Sequence, residues 1–322
     1  MKASLEAINP DAARLADAME GRAGRIGVVV SRLKSGARLI DAGVRAPGSH
    51  EAGRLYAEAC LGGLGRVAVR ARMLGPAVIP TAEVTVDMPL VACIASQYAG
   101  WKIAEGKFFG MGSGPARALA AAEPLFDRLP LKTRADETVL LLETDALPGD
   151  DVARKVATRC GIEPSRLTLV AAATGSLAGS TQIAARSVET ALHKLMELGF
   201  DLSGIIAGCG TCPIAPGHPD MLQAIGRTND AVLYGSAVSL WVDAADDALQ
   251  AVVDRLPSRA SRDYGRLFID LFREHGDFYT IDPMLFSPAR VTLVNRATGR
   301  VFSAGDTDEA TLLRSFGIAA AP

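Results

Sequence analysis

Aromatic side chains are scarce in this chain: Phe, Tyr and Trp together make up 5% of its 322 residues. The expected core is therefore built from Ala, Val and Leu, and the 32 glycines imply many tight turns. Long apolar runs are also missing. No stretch reaches the ~18 uninterrupted apolar residues that a membrane span needs. The N-terminal MKASLEAINPDAARLADAME mixes acids among its apolar residues and lacks the basic start and apolar centre of a secretion signal. Five cysteines, an odd number, argue against a full disulfide framework. These absences lead to the expectation of a cytoplasmic protein with no membrane partner. An excess of one charge is lacking too. Lys plus Arg number 34 against 36 Asp plus Glu, a net charge of −2, which argues against a protein built mainly to grip nucleic acid.

Several catalytic signatures are absent as well. The chain has no GxSxG elbow and no HExxH, which removes two common hydrolase types. It has neither GxGxxG nor a Walker lysine motif, which speaks against nucleotide hydrolysis. Cys209 and Cys212 form a CxxC followed by His218, but no second such pair exists to complete a zinc site. The prolines that follow suit a loop rather than the helix start a redox pair prefers.

What is present is an alternation of short β-rich runs with helical ones, the pattern of an α/β class with mixed sheets. A length of 322 residues against a usual domain of roughly 150 suggests two domains. The polar stretch 132–137 is the best linker candidate, so the expected division is 1–133 and 134–322, with 246–322 packing back on the first. Strands are expected at 26–33 and 37–44, joined by a Lys34-Ser35-Gly36 turn, and at 138–143 and 166–173. Residues 90–103 read as helix. The glycine-rich 110–115 (GMGSGP) introduces a further helix, and a long helix is expected over 180–198. A short strand at 203–207 is expected to give way to a Gly/Cys/Pro-rich loop.

On the helix 180–198, Gln182, Arg186, Glu189 and His193 fall within an arc of about 60°, opposite a buried stripe of Ala184, Val188, Ala191, Leu195 and Leu198. An amphipathic helix with its polar side in water explains that pattern equally well. Gly112, Ser113 and Gly114 are candidates to present backbone groups to a ligand, or else form a purely structural turn. Residues 278–288 (FYTIDPMLFSP) concentrate aromatics in an aromatic-poor chain, and two prolines fix their path. Such a rigid wall suits a core or a flat heteroaromatic ligand.

Three separate motifs, IDPMLFSPA at 281–289, FGMGSGPARA at 109–118 and PIAPGHPD at 213–220, resemble the methenyltetrahydromethanopterin cyclohydrolases. The segment GRTNDAVLYG at 226–235 is similar too, and the likeness runs from about Gly53 to the C-terminal helix. The resemblance implies a homotrimer of two α/β domains with a substrate cleft between them. The implied reaction interconverts the methenyl cation of a reduced pterin carrier and its N5-formyl form, using water and no metal or organic cofactor. It carries the catalytic pair onto Glu189, as general acid and base, and Arg186, as its orienting partner. Tyr279, Asp282 and Phe286 become candidates to wall the pterin, and His218 to contact its tail. The competing readings are a non-catalytic pterin-binding protein and a phosphate- or nucleotide-dependent transferase.

Overall fold

A computed structural model of the chain describes residues 2–276 and 280–318. In chain order the strands are β1 (Val29–Arg32), β2 (Arg38–Gly43), β3 (Gly65–Leu74), β4 (Ala77–Val86), β5 (Trp101–Glu105), β6 (Phe108–Ser113), β7 (Thr138–Glu143), β8 (Leu167–Ala172), β9 (Ile205–Pro213), β10 (Ala237–Val242), β11 (Arg290–Asn295) and β12 (Val301–Gly305). The helices are α1 (Lys2–Glu20), α2 (Ala23–Ile26), α3 (His50–Cys60), α4 (Pro115–Ala120), α5 (Leu125–Arg128), α6 (Asp150–Cys160), α7 (Leu177–Ala184), α8 (Ser187–Glu197), α9 (Met221–Gly235), α10 (Asp246–Val253), α11 (Phe268–His275) and α12 (Glu309–Phe316). The α/β class with two mixed sheets and two domains stands.

The two compact units are each assembled from two chain segments. The first comprises Met1–Arg66 and Val91–Gln182; the second comprises Val67–Leu90 and Ile183–Pro322. No single cut such as 133/134 separates them, and 246–322 lies wholly in the second unit. The cause is the excursion through β3 and β4, which leaves the first sheet to join the second.

The first unit holds a six-stranded sheet in the order β1-β2-β8-β7-β6-β5. Its inner strands β2, β8 and β7 run parallel, while β1, β6 and β5 are antiparallel to their neighbours. The near-continuous apolar runs of β7 (TVLLLE) and β8 (LTLVAA) are what a parallel strand buried on both faces requires. Val139, Leu141, Val170 and Ala172 pack under α1, α3 and the start of α7. Leu140, Leu142, Leu169 and Ala171 pack against α6 on the opposite face.

One expectation fails in this unit. The run 90–103 is a π-helix only over Leu90–Gln97, after which β5 begins. The fully buried Arg117 caps that helix, donating to the carbonyls of Ile94, Ala95 and Ser96 while Glu123 neutralises it. The glycine-rich run introduces α4 as expected, and through Ser113 it also forms the end of strand β6. Gly112 is flat against its neighbours there, since a Cβ would stand 3.0 Å from the Trp101 carbonyl and 3.1 Å from Leu140.

The second sheet has the order β12-β11-β10-β9-β4-β3, with β10 and β11 parallel. Strand β9 is longer than expected. The Gly/Cys/Pro stretch continues the strand through Pro213, paired on both sides with β4 and β10. Cys209 and Cys212, three residues apart on one strand, consequently point to opposite faces, so they cannot close on one ion or on each other.

Candidate active site

Helix α8 carries the expected pair, and its placement begins with glycine. It packs over β9, where Gly208 and Gly210 leave the sheet face bare. A Cβ on Gly210 would stand 2.5 Å from Ser187 Oγ, and one on Gly208 would stand 2.8 Å from Val188. The first turn of α8 is thus pressed onto strand backbone, closer than any larger residue allows. Val188, Ala191, Leu192 and Leu195 are fully buried along its inner side.

The expected long helix is in fact two. The chain turns at Ala185 and Arg186, so α7 ends and α8 restarts. The Arg186 N–H closes α7 on the Ile183 carbonyl at 3.0 Å, and its own carbonyl opens α8 by accepting from Thr190 N–H at 2.8 Å. Arg186 therefore stands at the N-cap and Glu189 in the first turn of α8. The pair stays together, although the single arc that joined them to Gln182 is broken. Both are buried, Arg186 at 8% and Glu189 at 6% exposure. A carboxylate in the first turn also meets the favourable partial positive charge of a helix start, typically worth about 0.3–1 kcal/mol at exposed sites.

The segment around Asp282 is fixed to this helix by a residue not anticipated from the sequence. Lys194, wholly buried on α8, donates from Nζ to the Met284 carbonyl. Burial pulls its ammonium down from the usual lysine range to about 8; the Asp282 charge opposes that fall and Arg255 adds to it. Asp282 accepts from Ser261 Oγ at 2.7 Å and from Met284 N–H at 3.0 Å. Burial alone would raise its carboxyl, yet these bonds and the nearby Arg262 hold it below the usual range. Phe286 meets Phe268 edge-on, ring centroids 5.8 Å apart. The signal available for Lys194 was a lone charge bordering the apolar stripe between Ala191 and Leu195.

His218 stands half-buried in the loop between β9 and α9, its Nδ1 accepting from Asp220 N–H at 3.0 Å. Tyr279 lies outside the described residues. Gly112, Ser113 and Gly114 are buried in the first unit, where Gly114 adopts φ 96° and its N–H bonds the Ser96 carbonyl at 2.8 Å. A Cβ on Gly114 would collide with the Leu141 side chain and stand 3.1 Å from the Val139 carbonyl, both on β7.

A family model described as Cyclohydrolase (MCH) matches residues 7–316. A methenyltetrahydromethanopterin cyclohydrolase of Xanthobacter autotrophicus is 47% identical over 315 residues, covering 95% of this chain and 91% of that protein. Its namesake in Methylobacillus flagellatus is 46% identical over 294 residues, 91% of this chain and 90% of that one. The chain belongs to this cyclohydrolase family. A further relative of the same name, from Methanospirillum hungatei, is 42% identical over 292 residues, covering 90% and 92%.

As a family member the protein is a hydrolase acting on a cyclic carbon–nitrogen bond. Such chemistry needs a base to take a proton from the attacking water and an acid to protonate the nitrogen as it leaves with the bond's electron pair. A buried carboxylate can do both in turn. Two open cavities, of about 370 Å³ beside Trp101 and Lys155 and about 360 Å³ beside Leu74 and Leu312, are not lined by Arg186 or Glu189. Among the described residues no group of three or more His, Cys, Asp or Glu is placed to hold a metal ion, and no helix is long and apolar enough to cross a membrane.

Proposed function

We propose that the chain hydrates the cyclic methenyl cation of a tetrahydromethanopterin-type carrier to the N5-formyl carrier, and catalyses the reverse. The observation that carries this is the buried Arg186–Glu189 pair opening α8, in a chain whose relatives are named for that substrate. The methenyl carbon shares positive charge with two nitrogens and is already electrophilic. Glu189 accepts a proton as the water oxygen forms the new C–O bond, leaving a neutral hydroxyl intermediate. It then returns that proton to N10 as the C–N10 bond breaks, and the hydroxyl proton leaves to solvent as the formyl C=O forms. One water enters and one proton is released.

General acid–base help of this kind contributes roughly 10²–10⁴-fold. Arg186, three residues earlier, orients the carboxylate or the attacking water through its planar fork. Asp282 and Phe286 wall the pterin and His218 meets the carrier's tail. Water is the sole co-reactant, and the scheme uses neither metal nor organic cofactor. The working form is a homotrimer in the cytoplasm.

The test follows the absorbance of the methenyl form. Glu189→Gln is expected to stay folded and bind the carrier while turnover is lost. Arg186→Ala is expected to slow the reaction, with Arg186→Lys a poor rescue. Near-normal turnover in the Gln variant would remove the mechanism. A stoichiometric spectral shift by the wild type, without catalytic bleaching, would make it a binder.

A further inference from the structure

Strands β7 and β8 lie side by side and parallel in the first unit, yet the chain leaves their carboxyl ends toward opposite faces. β7 feeds α6, which packs with Leu140 and Leu142; β8 feeds α7, whose Ala178 packs with Val139 and Leu141. Open α/β sheets take ligands in the crevice outside such a reversal. Glu143, the last residue of β7, stands there half-buried. Its Oε1 accepts from Thr174 Oγ1 at 2.6 Å and its Oε2 from Gln182 Nε2 at 3.3 Å. Those bonds aim the carboxylate and leave acceptor capacity on both oxygens. No ion pair engages Glu143 among the described residues.

A second observation adjoins the first. The cross-strand partner of Glu143 is Met111 on β6, and Phe109 lies two residues along the same strand. Alternation puts all three side chains on one face of the sheet. Phe109 is 55% exposed and Met111 half-buried, in a chain where aromatics are rare. An apolar shelf therefore runs beside a carboxylate that no ion pair engages among the described residues. Such a pairing suits a flat heterocycle bearing two adjacent N–H donors on one edge.

We propose that Glu143 and the Phe109–Met111 shelf bind the head group of the substrate, the 2-amino group and ring N3–H of the pterin donating a parallel pair of hydrogen bonds to the carboxylate. This rests on the reading that the substrate is a reduced pterin. A charged acceptor makes both bonds strong, and the fork geometry makes them selective. The 2-aminopyrimidinone edge is shared with guanine, so the probes must separate the two.

Titration with 6-methylpterin, the free head group, is expected to saturate the wild-type protein. Glu143→Gln is expected to weaken that binding about 10–100-fold, and Phe109→Ser about 3–10-fold. 6-Methyllumazine, with oxygen in place of the 2-amino group, is expected to bind the wild type no better than 6-methylpterin binds Glu143→Gln. In turnover of the methenyl carrier the Gln variant is expected to raise KM by a similar factor, with kcat within about 3-fold, the signature of lost uniform binding. Unchanged 6-methylpterin binding in a Glu143→Gln variant that melts like the wild type overturns the inference. Glu143-dependent binding of guanosine monophosphate tighter than of 6-methylpterin overturns it too. Failure of the acid–base reading shows separately, as turnover by Glu189→Gln with head-group binding intact.

Discussion

Lys194 is a full charge carried inward on the helix that presents Glu189. Its Nζ donates to the Met284 carbonyl, and burial lowers its ammonium from the ordinary lysine value of 10.5 to about 8. The folded protein therefore holds this proton less tightly than the unfolded chain does. Below about pH 8 both states are protonated and the cost of burial is fully present. Between about 8 and 10.5 the unfolded chain binds more protons, so stability rises with pH across that window. Lys194→Met has no such titration. Urea unfolding of both proteins from pH 7 to 10 is expected to show the wild type gaining roughly 2 kcal/mol on the variant above pH 8. Parallel pH profiles would mean that the lysine is solvated in the native state. The same residue marks a limit of reading one chain from its letters. That Arg186 and Glu189 stand one turn apart on a helix was legible from their spacing alone. Lys194 was not, because its partner is 90 residues away. Glu143 likewise acquires its meaning only from Thr174 and Gln182, 31 and 39 residues on.

Elements were legible where one rule acted alone. Strands β7 and β8 could be read from their uninterrupted apolar runs, and β1 and β2 from the Lys34-Ser35-Gly36 turn between them. The break between α7 and α8 could not, because Ala184, Val188, Ala191 and Leu195 keep the helical period across it and neither Gly nor Pro marks it. In β9 the glycines suggested a loop, whereas tertiary packing demands them: α8 sits on them. That demand predicts a specific pair of mutants. Gly210→Ala places a Cβ 2.5 Å from Ser187 Oγ and 3.1 Å from Val238, so the first turn of α8 must move. Overpacking of this kind costs about 1–3 kcal/mol. The expected outcome is a lower melting temperature and, if Glu189 acts as proposed, a kcat reduced at least about 10-fold, since small displacements of a catalytic group are costly. Ser187 Oγ is buried without a hydrogen-bond partner, so Ser187→Ala by itself is expected to be nearly neutral. Added to Gly210→Ala, it removes the atom that collides. Recovery of kcat in the double variant, measured as a non-zero coupling in the cycle, checks that helix position is what the glycine protects. Strict additivity would show that the glycine matters for another reason.

At the scale of the whole chain, the two units share a path that crosses from one to the other at 66/67, 90/91 and 182/183. The consequence is a folding requirement that a linear division conceals. Residues 1–133 contain β1, β2, β5 and β6 but lack β7 and β8, the strands that join those pairs at the centre of the first sheet. They also lack Leu140, Leu142, Leu169 and Ala171, the middle of the core under α6. In that piece the first sheet is reduced to two disconnected strand pairs, β3 and β4 form a third pair cut off from β9, and an isolated two-stranded ribbon is marginally stable at best. It is expected to show no cooperative thermal transition. A fusion of 1–66 to 91–182 through a flexible Gly/Ser linker omits the β3–β4 excursion and restores all six strands of the sheet. Calorimetry on this fusion is expected to give a single cooperative melt with calorimetric and van't Hoff enthalpies in agreement, the mark of one domain unfolding as a unit. It retains Phe109, Met111, Glu143, Thr174 and Gln182, the groups inferred to meet the 2-amino edge of the pterin and to aim that carboxylate. A cooperative melt of 1–133 alone, or none from the fusion, would show that the contacts within each sheet do not decide what folds.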